Sequence, residues 1–285
     1  MSSNIASKII SLSDKTSPVA ILAARNFTAY AGILAALMTG RPYLPLNPRF
    51  PVKRNLKMIE RSGTDTVITA DENSSITEEI ILRSSNKLHI INPETDGLIN
   101  MDTIELDYSR LDGVSADQAA YLLFTSGTTG EPKGVPVSNE NVTAYLDHML
   151  GHYDFNENDR FSQTFDLTFD LSVHDLFACW LSGACLCIPD SEKPFAYPKY
   201  INDREITVWF SVPSMAVLMD KMRLLRPGFF PSLRWSFCRQ RGQLARPLSR
   251  SLTTSRHAAA FRRAWIVRGS TTRSMQGSAP IQTWL

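Results

Sequence analysis

The residues best suited to chemistry lie in one stretch, residues 121–134, which reads YLLFTSGTTGEPKG. An apolar run over residues 119–124 predicts a buried strand that leads into this stretch. Glycine adopts positive φ at little cost, so Gly127, Gly130 and Gly134 would let backbone amides approach an anion closely. The hydroxyl groups and the ammonium group that would complete a phosphate-binding loop are those of Thr125, Ser126, Thr128, Thr129 and Lys133.

The order of residues in this loop differs from the Walker A motif, because proline precedes and glycine follows Lys133. Clusters of Ser, Thr and Gly also occur in ordinary surface loops. The whole string, however, resembles the signature loop of the adenylate-forming superfamily, which includes acyl-CoA synthetases, luciferases and the adenylation domains of nonribosomal peptide synthetases. The resemblance implies that the loop encloses the β- and γ-phosphates of ATP, with Mg²⁺, while a carboxylate attacks the α-phosphate.

Asp170 is the second candidate, in a segment where Ser172 and Asp175 approximate a capping box and predict a helix start two residues after it. A carboxylate near a helix start also has a structural explanation, because the helix dipole favours it. Phe169-Asp-Leu-Ser172 nevertheless resembles the substrate motif of adenylation domains that activate amino acids. This resemblance implies that Asp170 pairs with the α-ammonium group of the substrate. The neighbouring pocket positions that it implies are Leu171, His174 and Phe210, the last of which is equally well explained as a core aromatic residue.

The finer resemblance is to stand-alone ligases that load D-alanine, proline or similar small amino acids onto carrier proteins. It implies an amino-acid substrate and a phosphopantetheinyl carrier protein as partner. Acyl- and aryl-CoA ligases generally lack an aspartate in the position of Asp170, and such a ligase is the alternative enzyme class. A non-catalytic remnant that binds ATP weakly or not at all is the alternative from a different class.

Strands alternating with helices predict an α/β fold with layered, largely parallel sheets, similar to an incomplete N-terminal region of an adenylate-forming ligase. The expected strands include Pro18–Ala23, Thr66–Thr69 and Leu88–Ile91. Residues 71–117 are expected to form a loop or an irregular excursion. The last apolar strand that the sequence predicts lies near Thr207. The family would place a further apolar strand after Trp235, and this strand is expected to be missing.

The composition indicates a globular protein, with 43% hydrophobic residues and four cysteines. No apolar run reaches the roughly 18 residues of a membrane span, and the first residues lack the pattern of a secretory signal, so a cytoplasmic location without membrane binding is expected. The absence of a C-x-x-C pair argues against a zinc site. Cys185 and Cys187 are expected to be reduced thiols in a buried strand.

The charge is divided unevenly: residues 222–285 contain twelve arginines and no Lys, Asp or Glu. The resemblance to the family runs from about Ile5 to about Trp235, and residues 1–235 are interpreted as a partial adenylation domain. Residues 236–285 lack the downstream family motifs, including the magnesium-binding glutamate and the catalytic lysine. One interpretation is a basic extension that binds an anionic partner. The arginines are not interleaved with aromatic residues, however, so no nucleic-acid partner is expected. We favour an out-of-frame, poorly packed tail, which predicts an incomplete catalyst.

Overall fold

A computed structural model describes residues 1–13, 16–126, 131–190, 193–224 and 228–238. They form two compact units. The first contains Met1–Asp147 and Asp166–Asp170, and the second contains His148–Phe165 and the described residues from Leu171 onward. Within the described part of the chain, no helix is both long enough and apolar enough to span a membrane.

The first unit alternates helices and strands along most of its length. Its helices are α1 (Ser2–Leu12), α2 (Phe27–Met38), α3 (Val52–Ser62), α4 (Ser74–Arg83) and the greater part of α5 (Asn139–His152). Its strands are β1 (Val19–Leu22), β2 (Tyr43–Leu46), β3 (Thr66–Thr69), β4 (His89–Ile91), β5 (Ala119–Ser126) and β6 (Pro132–Ser138).

The six strands form one sheet in the order β4-β3-β1-β2-β5-β6. All neighbouring pairs are parallel except β5 and β6, which are antiparallel. Every residue of β1, β2 and β3 is buried, as expected for parallel strands covered on both faces. The α/β fold with a largely parallel sheet is therefore confirmed.

A buried ion pair joins the beginnings of the three central strands. Arg41, just before β2, approaches Asp65, just before β3, at 2.6 Å. The Arg41 Nε also donates to the Ser17 carbonyl at 2.7 Å, and Ser13 donates to Asp65 at 2.6 Å. Burial alone would raise the pKa of Asp65, but hydrogen bonds from Ser13, Arg41 and Thr66 together hold it well below its usual value. The carboxylate is therefore charged in the folded protein.

Two elements of this unit were not expected from the sequence. Residues 71–117 contain the helix α4, so the interpretation of this region as irregular was wrong in part. Its apolar residues Ile76 and Ile80 are four apart and pack into the core cluster, a helical spacing that the surrounding polar residues obscured. The strand β6 was also not expected. The sequence predicts that Lys133 lies in a loop, but the structure places it in the antiparallel ladder with β5.

The second unit is a smaller parallel α/β arrangement. Its strands are β7 (Arg160–Ser162), β8 (Cys185–Cys187), β9 (Val208–Ser211) and β10 (Trp235–Cys238). Its further helices are α6 (Leu171–Leu181), α7 (Tyr197–Asp203) and α8 (Pro213–Lys221). The strand order is β10-β9-β7-β8, with parallel pairing between neighbours.

Three expectations about this unit are corrected by the structure. Trp235–Cys238 forms a strand along β9, although the sequence was taken to lack a strand there. The helix α6 begins at Leu171, so Ser172 lies inside the helix instead of capping it. Cys185 is exposed rather than buried, because β8 lies at the end of the described strand order. The predicted out-of-frame tail lies outside the described residues from 239 onward and stays a prediction.

Candidate functional site

The β5–β6 hairpin presents two of the predicted phosphate ligands. Thr125 and Lys133 are cross-strand partners in the antiparallel ladder, and both are exposed. Directly opposed residues project from the same face of a sheet with Cβ atoms about 5 Å apart. The Thr125 hydroxyl donates to the Lys133 carbonyl at 3.4 Å. One hydroxyl and one ammonium group therefore share an exposed face, which is a donor set suited to an oxyanion.

Gly134 has a packing role that the sequence did not reveal. A Cβ atom at this position would lie 3.2 Å from the Phe124 ring and 3.3 Å from the Leu122 side chain. These are the residues that face it across the hairpin, since Phe124 is its ladder partner. A side chain at this position would therefore crowd Phe124 and Leu122, whatever the Gly134 amide contributes to anion binding.

The middle of the predicted loop, Gly127, Thr128, Thr129 and Gly130, lies outside the described residues, as does the side chain of Ser126. Their assignment as phosphate ligands stays a prediction. Glu131, the next described residue of the chain, pairs with α3: the Lys57 Nζ approaches its carboxylate at 2.6 Å. The hydrogen bond and charge of Lys57 lower the pKa of Glu131. This exposed ion pair links Glu131, the residue before β6, to the helix α3.

The segment that carries Asp170 is held on the first unit by Asp166. The Asn47 amide, which follows β2, donates to the Asp166 carboxylate. The other Asp166 carboxylate oxygen accepts from the Thr168 amide at 2.9 Å and from the Thr168 hydroxyl at 2.6 Å. The Phe169 amide donates to the Asp166 carbonyl at 3.0 Å and closes a turn. These bonds fix the backbone immediately before Asp170.

Asn47 is itself fixed by two further bonds. Its carbonyl accepts from the Asn55 side chain of α3 at 3.0 Å, and its side-chain oxygen accepts from the Arg49 amide at 2.7 Å. Asn55 is fully buried. Asp170 therefore depends on a chain of hydrogen bonds that runs through Asp166 and Asn47 to the helix α3.

Tyr121 of β5 is a buried residue whose pKa depends on the charge of Asp170. Its side chain is 6% exposed, and its ring lies 5.6 Å from the ring of Tyr43. Burial, and then the negative charge of Asp170, raise the pKa of Tyr121 to about 12. The half-buried Asp170 carboxylate and the neutral Tyr121 phenol therefore lie within electrostatic reach of each other in the first unit.

The second unit brings His174 and Phe210 together. Their ring centroids are 4.9 Å apart at 82°, and both residues are buried. The His174 ring also lies 5.3 Å from the ring of Phe237. Burial lowers the pKa of His174 to about 4, so the imidazole is neutral at pH 7. Leu171 is half-buried at the first position of α6, one turn before His174.

The sheet of the second unit, which carries Phe210 and lies next to His174, contains a point where the strand order reverses. From β7 the chain proceeds to β8 on one side, and it returns to β9 on the other side. In open parallel sheets, ligands bind beyond the carboxyl ends of the strands at such a point. Ser162 ends β7, and its hydroxyl accepts from the Phe210 amide of β9 at 3.3 Å. His174 and Phe210 are thus placed where α/β proteins commonly recognise ligands.

Sequence reasoning missed three residues that shape this arrangement: Asn47, Tyr121 and Asp166. The signal for Asn47 was available, because it lies between two prolines after an apolar strand, where an Asx turn is favoured. The signal for Asp166 was a carboxylate two residues before a threonine. The pairing of Tyr121 with Asp170 joins residues 49 positions apart, so no local pattern could have indicated it.

Comparison with known proteins identifies the family that this fold and these residues define. The profile of the family described as AMP-binding enzyme matches residues 3–268, so the chain belongs to that family. Among curated relatives, the D-alanine--D-alanyl carrier protein ligase of Bacillus velezensis is 29% identical over 76% of this chain and 41% of its own length. The L-proline--[L-prolyl-carrier protein] ligase of Pseudomonas fluorescens is 32% identical over 70% of this chain and 41% of its own length.

A solved structure gives the same assignment. The Vibrio cholerae adenylation domain AlmE in complex with glycyl-adenosine-5'-phosphate is 30% identical, with a TM-score of 0.72. The alignment covers 82% of this chain and 47% of the AlmE chain. The present chain therefore spans less than half the length of these relatives, and it is a partial domain compared with them.

Proposed function

We propose that this chain carries the ATP-binding hairpin and the amino-acid-recognition segment of an enzyme that activates an amino acid as its aminoacyl adenylate. The relatives that support this proposal are carrier-protein ligases and an adenylation domain. By extension, the acceptor of the activated acyl group is the phosphopantetheine thiol of a carrier protein.

The placement of Asp170 carries the proposal. An ammonium group that leaves water for a largely apolar site needs an anion to offset its desolvation. Asp170 offers a carboxylate on a backbone that Asp166 fixes through Asn47 and Thr168. A carboxylate carried on a fixed backbone loses less entropy when it pairs with the substrate, which favours its use as a recognition residue.

Thr125 and Lys133 are the described residues that fit the phosphates of ATP. They are exposed, opposed on one face of the hairpin, and supply a hydroxyl donor and a positive charge. When bound, ATP supplies the α-phosphate that the substrate carboxylate attacks and the pyrophosphate that leaves. The contribution of this chain is to orient and neutralise the phosphates. The described residues contain no cluster of three or more His, Cys, Asp or Glu side chains arranged to hold a metal.

The remaining proposed ligands complete two sets. Those for the phosphates are Ser126, Gly127, Thr128, Thr129, Gly130 and Gly134, and those for the amino-acid side chain are Leu171, His174 and Phe210. The neutral, buried imidazole of His174 and the Phe210 ring suit a small or apolar side chain better than a charged one, because neither offers a counter-ion. Because the chain is partial, we expect weak or no turnover from residues 1–285 alone.

The test is amino-acid-dependent exchange of pyrophosphate into ATP by the full chain, with glycine, D- and L-alanine, proline and a charged amino acid as substrates. Exchange that needs a small amino acid and is lost in Asp170→Ala supports the proposal. The matched control is Asp147→Ala, an exposed carboxylate of α5 that is expected to leave exchange unchanged. Exchange with fatty or aryl acids that is insensitive to Asp170→Ala would assign the chain to the acyl-CoA ligases instead.

A binding measurement covers the case in which the chain does not turn over. A fluorescent ATP analogue is expected to bind the full chain, and Lys133→Ala is expected to weaken this binding by about tenfold, the loss of one charge-assisted contact. Binding that is unaffected by Lys133→Ala would remove the hairpin from the site. No binding at all would favour the non-catalytic remnant.

A further inference from the structure

The strand β8 presents two thiols side by side. Cys185 and Cys187 are two residues apart in a strand, so their side chains project from the same face. Their sulfur atoms are 4.0 Å apart. Cys185 is exposed, whereas Cys187 is 6% exposed. The pair therefore has one sulfur that reagents can reach and one that is held in the core of the second unit.

The Cys187 thiol is affected by burial, by its neighbour Cys185 and by two nearby arginines. Burial and the neighbouring Cys185 raise the pKa of the Cys187 thiol to about 11. The positive charges of Arg160 and Arg204 act in the opposite direction. Arg160 is the ladder partner of Cys185 on β7, and its side chain donates to the Arg204 carbonyl.

The spacing of the sulfurs suits a shared metal ion. Zinc–sulfur bonds are about 2.3 Å long, and two such bonds at a tetrahedral angle place the sulfurs about 3.8 Å apart. The observed 4.0 Å is close to that value. A disulfide requires a bond of about 2.05 Å and Cα atoms usually less than about 6.8 Å apart. Two strand residues at positions i and i+2 are at roughly that upper limit, so the strand would have to bend to form the bond.

We propose that Cys185 and Cys187 form a two-thiolate site for a thiophilic divalent metal ion of the Zn²⁺ and Cd²⁺ class, with water or a small thiol in the remaining positions. Soft thiolate ligands select such ions over Mg²⁺ and Ca²⁺. The described residues offer no group of three or more ligating side chains, so the site is open and exchangeable rather than a closed structural site. Each bound ion releases one proton from each thiol. The site is independent of the proposed adenylation activity.

The test uses the full chain, reduced and freed of reductant, and Cd²⁺ as the probe. Titration is expected to give one Cd²⁺ per chain, a thiolate-to-cadmium charge-transfer band in the ultraviolet, and displacement of bound Zn²⁺ by Cd²⁺. Loss of an outer-shell partner alone typically weakens metal binding 10–100-fold, so Cys185→Ser and Cys187→Ser are each expected to weaken it by at least about tenfold. Cys179→Ala and Cys238→Ser are the matched controls and are expected to retain binding.

A second measurement needs no variant and so does not depend on whether each variant folds. Zn²⁺ is expected to protect Cys185 from alkylation in the wild-type chain, as measured by mass spectrometry of its peptides. Cadmium binding that persists in Cys187→Ser, or that disappears in Cys179→Ala, would overturn the assignment. Unchanged alkylation of Cys185 in saturating Zn²⁺ would overturn it as well.

Discussion

The carboxylate of Asp170 acts on the buried phenol of Tyr121, and with the burial of that phenol it raises the Tyr121 pKa to about 12. The two residues come from different elements, since Tyr121 lies in β5 and Asp170 follows the turn that Asp166 forms. The same unit therefore contains both the candidate recognition carboxylate and a residue that reports its charge.

The first prediction uses Tyr121 as that reporter. Asp170→Asn removes the negative charge and is expected to lower the Tyr121 pKa, while burial keeps it above 10. The measurement is ultraviolet titration of tyrosinate, with Tyr121 isolated as the difference between each protein and its Tyr121→Phe counterpart. Asp147→Asn is the control and is expected to leave the titration in place. An identical Tyr121 titration in Asp170→Asn would contradict the relationship.

The second prediction concerns the buried pair of Arg41 and Asp65. Removing one partner of a buried ion pair leaves an uncompensated charge, so Arg41→Met is expected to lower the free energy of unfolding by about 3–5 kcal/mol. Arg83→Met is the control, because the Arg83–Glu79 pair is largely exposed and is expected to contribute less than about 1 kcal/mol. Denaturant unfolding at pH 7 measures both. Equal effects of the two substitutions would refute the role of burial.

The same pair predicts a dependence on acid. The Asp65 pKa is lower in the folded state than in the unfolded state, so its contribution to stability is complete above the unfolded value near 4. This contribution is lost as the pH falls through the folded pKa. Asp65→Asn, although less stable at pH 7, is expected to lose less stability than the wild type when both are unfolded by denaturant at decreasing pH below 4.

The third prediction concerns His174, whose buried imidazole has a pKa of about 4. Between pH 6.5 and 4 the unfolded state binds a proton that the folded state does not, so stability falls as the pH falls through this window. The whole loss is about 3 kcal/mol. His174→Gln cannot titrate and is expected to flatten the profile over this range, whereas the exposed His148→Gln is not. Denaturant midpoints between pH 7 and 4 provide the measurement, and a steep profile in His174→Gln would count against this assignment.

The fourth prediction compares two glycines. Gly134→Ala would place a methyl group 3.2 Å from the Phe124 ring and is expected to destabilise the protein by about 1–3 kcal/mol through overpacking. Gly151→Ala lies in α5 with open space around the new methyl group, and it is expected to stabilise by up to about 1 kcal/mol. Thermal unfolding of the two variants should shift in opposite directions. A shift in the same direction for both would show that packing against Phe124 does not govern position 134.

The structure explains which expectations from the sequence succeeded. The helix α2 begins after Asn26, whose side chain accepts from the Ala29 amide at 3.0 Å, and asparagine is among the residues preferred at a helix N-terminus. The strand Thr66–Thr69 has the bounds that its β-branched run indicated. Such elements depend on neighbouring residues, so local patterns suffice to predict them. The helix α4 was missed because polar residues dilute its apolar spacing, and β6 was missed because its partner strand, not its own sequence, makes it a strand.

The sequence by itself determined the family of this protein, since the hydroxyl-rich loop before Lys133 and the motif around Asp170 are contiguous strings whose residue types dictate their chemistry. Only the tertiary structure decided what holds those strings in place. Asp166 is anchored by Asn47, and the charge of Asp170 acts on Tyr121, because segments distant in the sequence come near one another when the sheet forms. The structure also showed that Cys185 is exposed beside Cys187, since exposure depends on the position of β8 in the sheet and not on the residues of β8 alone.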